Sequence, residues 1–169
     1  MYHDRMRDRR PDVRDGAGLD PTLDFLRVLW RIEHALQRVS KRMETTLGVT
    51  GPQRLVLKIV KQFPGLTAGD VAHVVRLHPS TVTGILQRLE TKGLVSRERD
   101  PADQRRVRLR VTPQAAPLTR RSERTVEAAV ARALSGATAS QARATRGLLS
   151  EIAVALEHNA SDTRTVGGK

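Results

Sequence analysis

The 169-residue chain contains no cysteine, which removes disulfide frameworks, thiolate nucleophiles, cysteine-based zinc sites and cysteine redox sensing together. Aromatic side chains are nearly as scarce: Tyr2, Phe25, Trp30 and Phe63 are all there are. Proteins that hold single strands stack successive bases on exposed rings, so duplex DNA is favoured over RNA as a nucleic-acid partner. No run approaches the roughly 18 unbroken apolar residues of a membrane span. The first residues, MYHDRMRDRRPDVRDGAGLD, lack the apolar stretch of a secretory signal. A cytoplasmic protein with no membrane partner is expected. A glycine-rich phosphate loop is also missing, and with only five histidines and scattered carboxylates there is little to build a catalytic site from; neither an enzyme nor a bound cofactor is expected.

What the sequence has is positive charge. Thirty Lys and Arg stand against 18 Asp and Glu, a net charge of +12, so an anionic partner is the first to consider and nucleic acid leads the candidates. The charge is uneven. Residues 1–20 balance five Arg with five Asp, whereas residues 76–112 carry net +5. The density therefore lies mid-chain and not in a basic tail.

Periodicity then gives the layout. Residues 1–20 have none and read as a flexible arm. From Pro21 a long helix runs to Gly48, its apolar stripe falling at Phe25, Leu29, Ile32, Leu36, Val39, Met43 and Leu47 with helical spacing. Thr50 with Gln53 forms a capping box for a second helix over Pro52 to Gln62, and Thr67 with Asp70 starts a two-turn helix over Val71–Val75. His78-Pro79 opens a fourth, with Val82, Ile85, Leu86 and Leu89 facing inward and Gly93 as its stop. The period then changes to two: Val107, Leu109 and Val111 alternate with Arg106, Arg108 and Arg110, pairing across Pro101–Gln104 with a strand near Val95–Arg99. Thr112-Pro113 begins another helix that Pro117 should kink or delay. Thr138 with Gln141 caps a last helix carrying Leu148, Leu149, Ile152, Ala155 and Leu156 on one face, before a polar tail at 161–169.

Two short helices followed by a basic hairpin make a winged helix-turn-helix, in which the second helix enters the major groove. Ser80, Thr81, Thr83, Gln87 and Arg88 form the polar face of that helix. The hydroxyls suit phosphates and bases, while Gln87 and Arg88 reach base edges. The fold class is thus mainly α: a winged helix-turn-helix lobe over 49–112 with a two-stranded hairpin wing, plus long helices at 21–48 and 113–160 whose apolar stripes exceed what the lobe covers and so point to a homodimer.

The string HPSTVTGILQRLETKGLVSRERDPADQRRVRLRVTP resembles the MarR family of bacterial transcription regulators. The likeness extends in layout over residues 23–160 and is strongest over 66–113. Its most specific piece is Asp103-Gln104-Arg105 following Gly93-Leu94-Val95. The resemblance implies that Arg105 enters the minor groove, that Asp103 braces it, and that Arg106 contacts phosphate. It also implies a homodimer that binds a pseudo-palindromic operator and represses, less often activates, nearby genes. A further implication is a small-molecule pocket between the dimerisation helices and the lobe, often for aromatic or phenolic acids. Leu26, Trp30 and His34 on a flank of the first helix, with Arg38 and Arg54 as partners for a carboxylate, are the candidates for it; packing in the core or dimer interface is the alternative for Trp30. The string departs from the family at His78, where a carboxylate or hydroxyl usually precedes Pro-Ser, and at Ala115 and Pro117, where the helix after the wing usually starts differently.

Two other readings remain open. A metal-responsive regulator would draw on His34, His73 and His78, although the spacing of His73 and His78 does not place them on one helix face, so no metal site is expected. A winged helix used as a protein-interaction or RNA module is disfavoured by the excess of Arg99, Arg105, Arg106, Arg108 and Arg110 over Glu98, Asp100 and Asp103.

Overall fold

The computed structural model describes residues 18–120 and 122–162. Residues 1–17 of the expected arm and 163–169 of the expected tail lie outside the described residues. The chain divides into two units after Arg120, and each is described separately.

In the first unit the Asp20 carboxylate accepts the Thr22 N–H at 2.8 Å and opens α1 (Pro21–Leu47), with proline where the missing N–H costs nothing. The helix ends where Gly48 takes a left-handed φ of 72°, a conformation glycine adopts without penalty. Only the C-terminal part of its apolar stripe is covered: Met43 is buried and Leu47 packs on the core, whereas Phe25 is 41% exposed and Ile32 and Leu36 are similarly open. The expected capping box starts α2 (Gly51–Gln62), and Ser40 Oγ of α1 accepts the Gly51 N–H at 2.9 Å. These contacts fix the angle at which α1 meets the lobe.

Phe63-Pro64-Gly65 ends α2, and Leu66 then pairs with the hairpin, its carbonyl accepting the Leu109 N–H at 2.8 Å. Thr67 and Asp70 cap α3 (Ala68–Val75) reciprocally. The Thr67 backbone N–H and hydroxyl hold the Asp70 carboxyl below its ordinary range. At its C-terminus Arg76 adopts φ 52°, and a three-residue turn leads to α4 (Pro79–Thr91). Strands β1 (Val95–Arg99) and β2 (Val107–Val111) pair antiparallel with Val95 opposite Val111 and Arg99 opposite Val107. Between α4 and β1, Gly93 has φ 65° and faces Gln114, whose Oε1 would lie 3.0 Å from an added Cβ; the left-handed backbone is what favours glycine there.

Val49, Val56, Leu57, Val60, Val71, Val82, Leu86, Leu89 and Leu109 are fully buried in one cluster, drawn from α2, α3, α4 and β2 and the turn before α2. Each contributes about 1.5–3 kcal/mol of apolar burial against the entropy of ordering the chain. The strand alternation is only partly realised. Leu109 is buried, but Val107 is exposed, because at the distal end of the hairpin it extends past the helices that would cover it.

The segment after the wing is shorter and more broken than a single helix. A 3-10 turn (Pro113–Ala115) passes into the four-residue α5 (Ala116–Thr119), and Arg120 is extended. Pro117 in the first turn of α5 removes a donor that a longer continuous helix would need. In the second unit Thr125 caps α6 (Val126–Ser135). Thr138 and Gln141 cap α7 (Ala139–Asp162) as expected, so α7 runs two residues into the expected tail. In the single chain Val130, Leu134, Leu148, Leu149, Val154 and Leu156 on these helices are exposed. Among the described residues no helix is long and apolar enough to cross a membrane.

Candidate nucleic-acid interface

Helix α4 divides cleanly. Val82, Ile85, Leu86 and Leu89 are buried, while Ser80, Thr81, Thr83, Gln87 and Arg88 are exposed. The division follows from helical spacing: inward residues at i, i+3, i+4 and i+7 leave the remaining positions to solvent. The cap of this helix is made by an imidazole. His78 Nδ1 accepts the Ser80 N–H at 3.3 Å and lies 2.7 Å from Ser80 Oγ, which resolves how a histidine substitutes for the usual carboxylate or hydroxyl. At the other end, Lys92 Nζ donates to the Gly48 carbonyl at 2.7 Å and to Gln53 Oε1 at 3.3 Å, tying the end of α4 to the junction of α1 and α2.

The wing is built on Asp100. Its carboxylate is 3% exposed and accepts the Ala102 N–H at 2.9 Å through one oxygen and the Arg108 Nε–H at 2.7 Å through the other. The Ala102 N–H, then the Arg108 side chain and charge, hold its carboxyl below the ordinary carboxylate range against the opposing effect of burial. Asp103 engages the residue it was expected to brace through the backbone: its Oδ1 accepts the N–H of Arg105 at 3.0 Å. It shapes the turn that carries the arginine. The Arg106 N–H donates to the Asp103 carbonyl at 2.9 Å and closes the loop.

The arginines of α4 and the hairpin differ in their partners. Arg97 pairs with Glu90, Arg108 with Asp100 and Arg110 with Glu98, so these serve the hairpin itself. Arg88, Arg105 and Arg106 are exposed and, among the described residues, in no ion pair. The unit thus presents one polar helix face and, on the wing, guanidinium groups with no internal carboxylate to satisfy, the donor chemistry that phosphate and base-edge acceptors require.

The candidate ligand residues do not form one set. Trp30, His34 and Arg38 line an open depression along α1, together with Arg27, Val28, Arg31, Ile32, Glu33 and Ala35. Trp30 is 63% exposed. Leu26 does not line this depression, and Arg54 is a correction: it is 1% exposed and donates to the carbonyls of Leu118 and Arg120, the latter at 2.7 Å. Lys61 Nζ adds a bond to Thr119 Oγ1 at 2.9 Å. Both cations hold α5 and its extended exit against α2, and Arg54 is spoken for by backbone carbonyls where a ligand carboxylate was expected. The histidines do not converge either: among the described residues no group of three or more His, Cys, Asp or Glu side chains is arranged to hold a metal ion.

Asp100, Lys92 and the clamp from Arg54 were not singled out in the sequence. Asp100 had a local signal, since an Asp before Pro heading a turn commonly accepts the N–H two residues on. The other two depend on partners 44 and 64 residues away, for which no local pattern exists.

Comparison with known proteins places this geometry. The sequence model described as the MarR family matches residues 49–107, the lobe that carries α2 to the start of β2. An HTH-type transcriptional repressor of Mycobacterium tuberculosis is 29% identical over 137 residues, covering 81% of this chain and 97% of that protein. The organic hydroperoxide resistance transcriptional regulator of Bacillus subtilis is 30% identical over 104 residues, 62% of this chain and 69% of the relative. Among solved structures, the PcaV transcriptional regulator of Streptomyces coelicolor, determined with its natural ligand, is 29% identical with a TM-score of 0.61, covering 76% of this chain and 91% of that one.

Proposed function

This chain belongs to the MarR family of DNA-binding transcriptional regulators, and from that premise we propose that it is a repressor that binds a pseudo-palindromic duplex operator as a homodimer and is released by a small aromatic acid-like ligand. In this reading residues 49–112 bind DNA, and residues 21–48 and 113–160 form the dimerisation region. The observation that carries it is the exposed polar face of α4 lying in the same lobe as the unpaired Arg105 and Arg106. Ser80, Thr81 and Thr83 contact backbone and nearby bases, Gln87 and Arg88 read base edges in the major groove, and Arg105 enters the minor groove, where A·T-rich sequence deepens the negative potential. Arg106 contacts phosphate. Asp103 holds the turn that aims Arg105.

The open apolar residues Phe25, Ile32 and Leu36 on α1 and Leu148, Leu149 and Leu156 on α7 support a dimer, since exposing that much aliphatic surface in a single chain is unfavourable. Two lobes related by a two-fold axis would set recognition helices about one helical turn apart, roughly 10 bp between half-site centres. Repression would follow from competition with polymerase for the promoter. The depression bearing Trp30, His34 and Arg38 supports an effector with a ring and a carboxylate, and such a ligand would act by favouring a lobe spacing that does not fit the operator. The chain has no cysteine, so a thiolate cannot be its sensor, whatever the hydroperoxide-resistance relative uses. The test is a mobility-shift assay on DNA upstream of its own gene, repeated with candidate aromatic acids. A defined shifted band that competitor duplex of unrelated sequence does not remove is expected, and absence of any sequence-dependent shift would overturn the reading.

A further inference from the structure

Three helix ends meet at Lys92. The residue closes α4, its backbone N–H donating to the Arg88 carbonyl at 3.2 Å. Its Nζ crosses to the Gly48 carbonyl at the end of α1, 2.7 Å away, and to Gln53 Oε1 at 3.3 Å. That same Oε1 accepts the Thr50 N–H at 3.2 Å and so belongs to the box that starts α2. The last turn of α1 has no basic residue, so the cation that its carbonyl end favours arrives instead from the end of α4. Ser40 ties α1 to α2, and Lys92 brings α4 into the same junction.

These helices have different tasks in the reading above. Helix α4 presents its polar face to DNA, while α1 carries the uncovered stripe of Phe25, Ile32 and Leu36 that supports the dimer. A helix rising about 1.5 Å per residue places Ile32 about 24 Å from Gly48. On an arm of that length a tilt of about 8° moves the far end by about 3.4 Å, the rise of one base pair. The spacing between two recognition helices is therefore sensitive to the angle at which α4 is held against α1. The lobe's other exit, through α5, is held by Arg54, which is buried and donates to the Leu118 and Arg120 carbonyls. Lys92 is exposed, so its bridge can be removed without opening the core.

Resting on the reading of a dimer on a two-half-site operator, we propose that Lys92 is a positioning residue that fixes the tilt of α4 against α1 and thereby sets the half-site spacing the protein accepts. It acts on spacing and not on base identity, since its Nζ is engaged by Gly48 and Gln53.

The full chain is allowed to select a duplex from a randomised pool. Affinity is then measured at fixed ionic strength for that duplex, for versions with one base pair inserted or removed between the half-sites, and for a duplex carrying one half-site. Lys92→Met keeps the aliphatic stem and removes the donor; Lys92→Ala takes its place if the methionine variant does not fold. Wild type is expected to lose about tenfold or more on either altered spacing. Lys92→Met is expected to lose less than about threefold there, while binding the single half-site within about twofold of wild type. A second readout needs no DNA. The chain has no cysteine, so Thr83→Cys, exposed on α4, puts one spin label on each protomer, and the label-to-label distance distribution should widen when Lys92→Met is added. A spacing penalty in Lys92→Met as steep as wild type, or an unchanged distance distribution, overturns the proposal while leaving DNA binding intact. So does an equal loss on the single half-site with a salt slope shallower by about one, which makes Lys92 a phosphate contact. A wild-type chain that selects no duplex, or labelled protein that shows no label-to-label distance, overturns the reading on which the proposal rests.

Discussion

Asp100, just past the end of β1, and Arg108 of β2 are joined at the loop end of the wing, the arginine Nε–H meeting a carboxylate oxygen at 2.7 Å while the other oxygen holds the Ala102 N–H. The folded-state pKa of Asp100 is lowered, so the ionised carboxylate stabilises the wing at neutral pH, and this contribution is lost as pH falls through the folded value. Backbone amides of Ala102 and Arg106 should therefore lose hydrogen-exchange protection below about pH 4, the ordinary carboxylate range, before those of α4. Asp100→Asn should show weakened protection at neutral pH as well, without further change on acidification. Equal protection in both proteins across the range would remove Asp100 from this role.

Arg105→Ala should weaken operator binding at least tenfold, about 1.4 kcal/mol, and make the dependence of log affinity on log salt shallower by about one. Its melting temperature should match wild type, because the side chain is exposed and in no ion pair. Asp103→Ala should lose less, since the charge remains and only the turn is loosened. Unchanged affinity and slope for Arg105→Ala would mean the hairpin is not a DNA-contacting wing.

Gln87→Ala and Arg88→Ala are expected to relax base preference, costing roughly 1–3 kcal/mol at one or two operator positions. Binding measured over a set of single-base operator variants distinguishes this from a phosphate contact, which would weaken all of them alike.

Arg54→Leu should destabilise the protein by about 3 kcal/mol, because the carbonyls of Leu118 and Arg120 would be left without their donor. Denaturant unfolding measures it. If the same variant keeps full stability and loses response to an aromatic acid, Arg54 belongs to the effector site after all.

Light scattering should return twice the 18.7 kDa chain mass at micromolar concentration. Ile32→Asp with Leu36→Asp, both on the uncovered part of α1, should reduce it to the monomer while leaving the helical signal of the lobe intact. A wild-type monomer would sink the dimer and the palindromic operator with it.

Where a signal is local, the residues gave the structure away. Thr50 with Gln53, Thr67 with Asp70 and Thr138 with Gln141 each cap the helix they were expected to start, because a capping box is complete within four residues. The inward face of α4 and the pairing of β1 with β2 were legible for the same reason: period 3.6 and period 2 are properties of short windows. Distance defeated the rest. Nothing near Arg54 distinguishes it from the solvent-facing arginines of α1, and its burial is decided by carbonyls that arrive from α5 and Arg120. Asp103 was correctly associated with Arg105, but the atom it engages depends on the backbone of the turn. Val107 follows the alternation and still lies in solvent, since alternation says which side a residue faces and not whether anything covers that side.

The hairpin also has to avoid its own kind. Leu66 occupies the edge of β2 at Leu109, leaving β1 as the outer strand, and its sequence Val95-Ser96-Arg97-Glu98-Arg99 places three charges of alternating sign, Arg97, Glu98 and Arg99, on the strand that another chain would have to pair with. An incoming strand would bury or confront those charges, and the strand is too short to repay it. The charges of β1 thus discourage strand-by-strand association, so replacing Arg97 and Arg99 with apolar residues would threaten solubility.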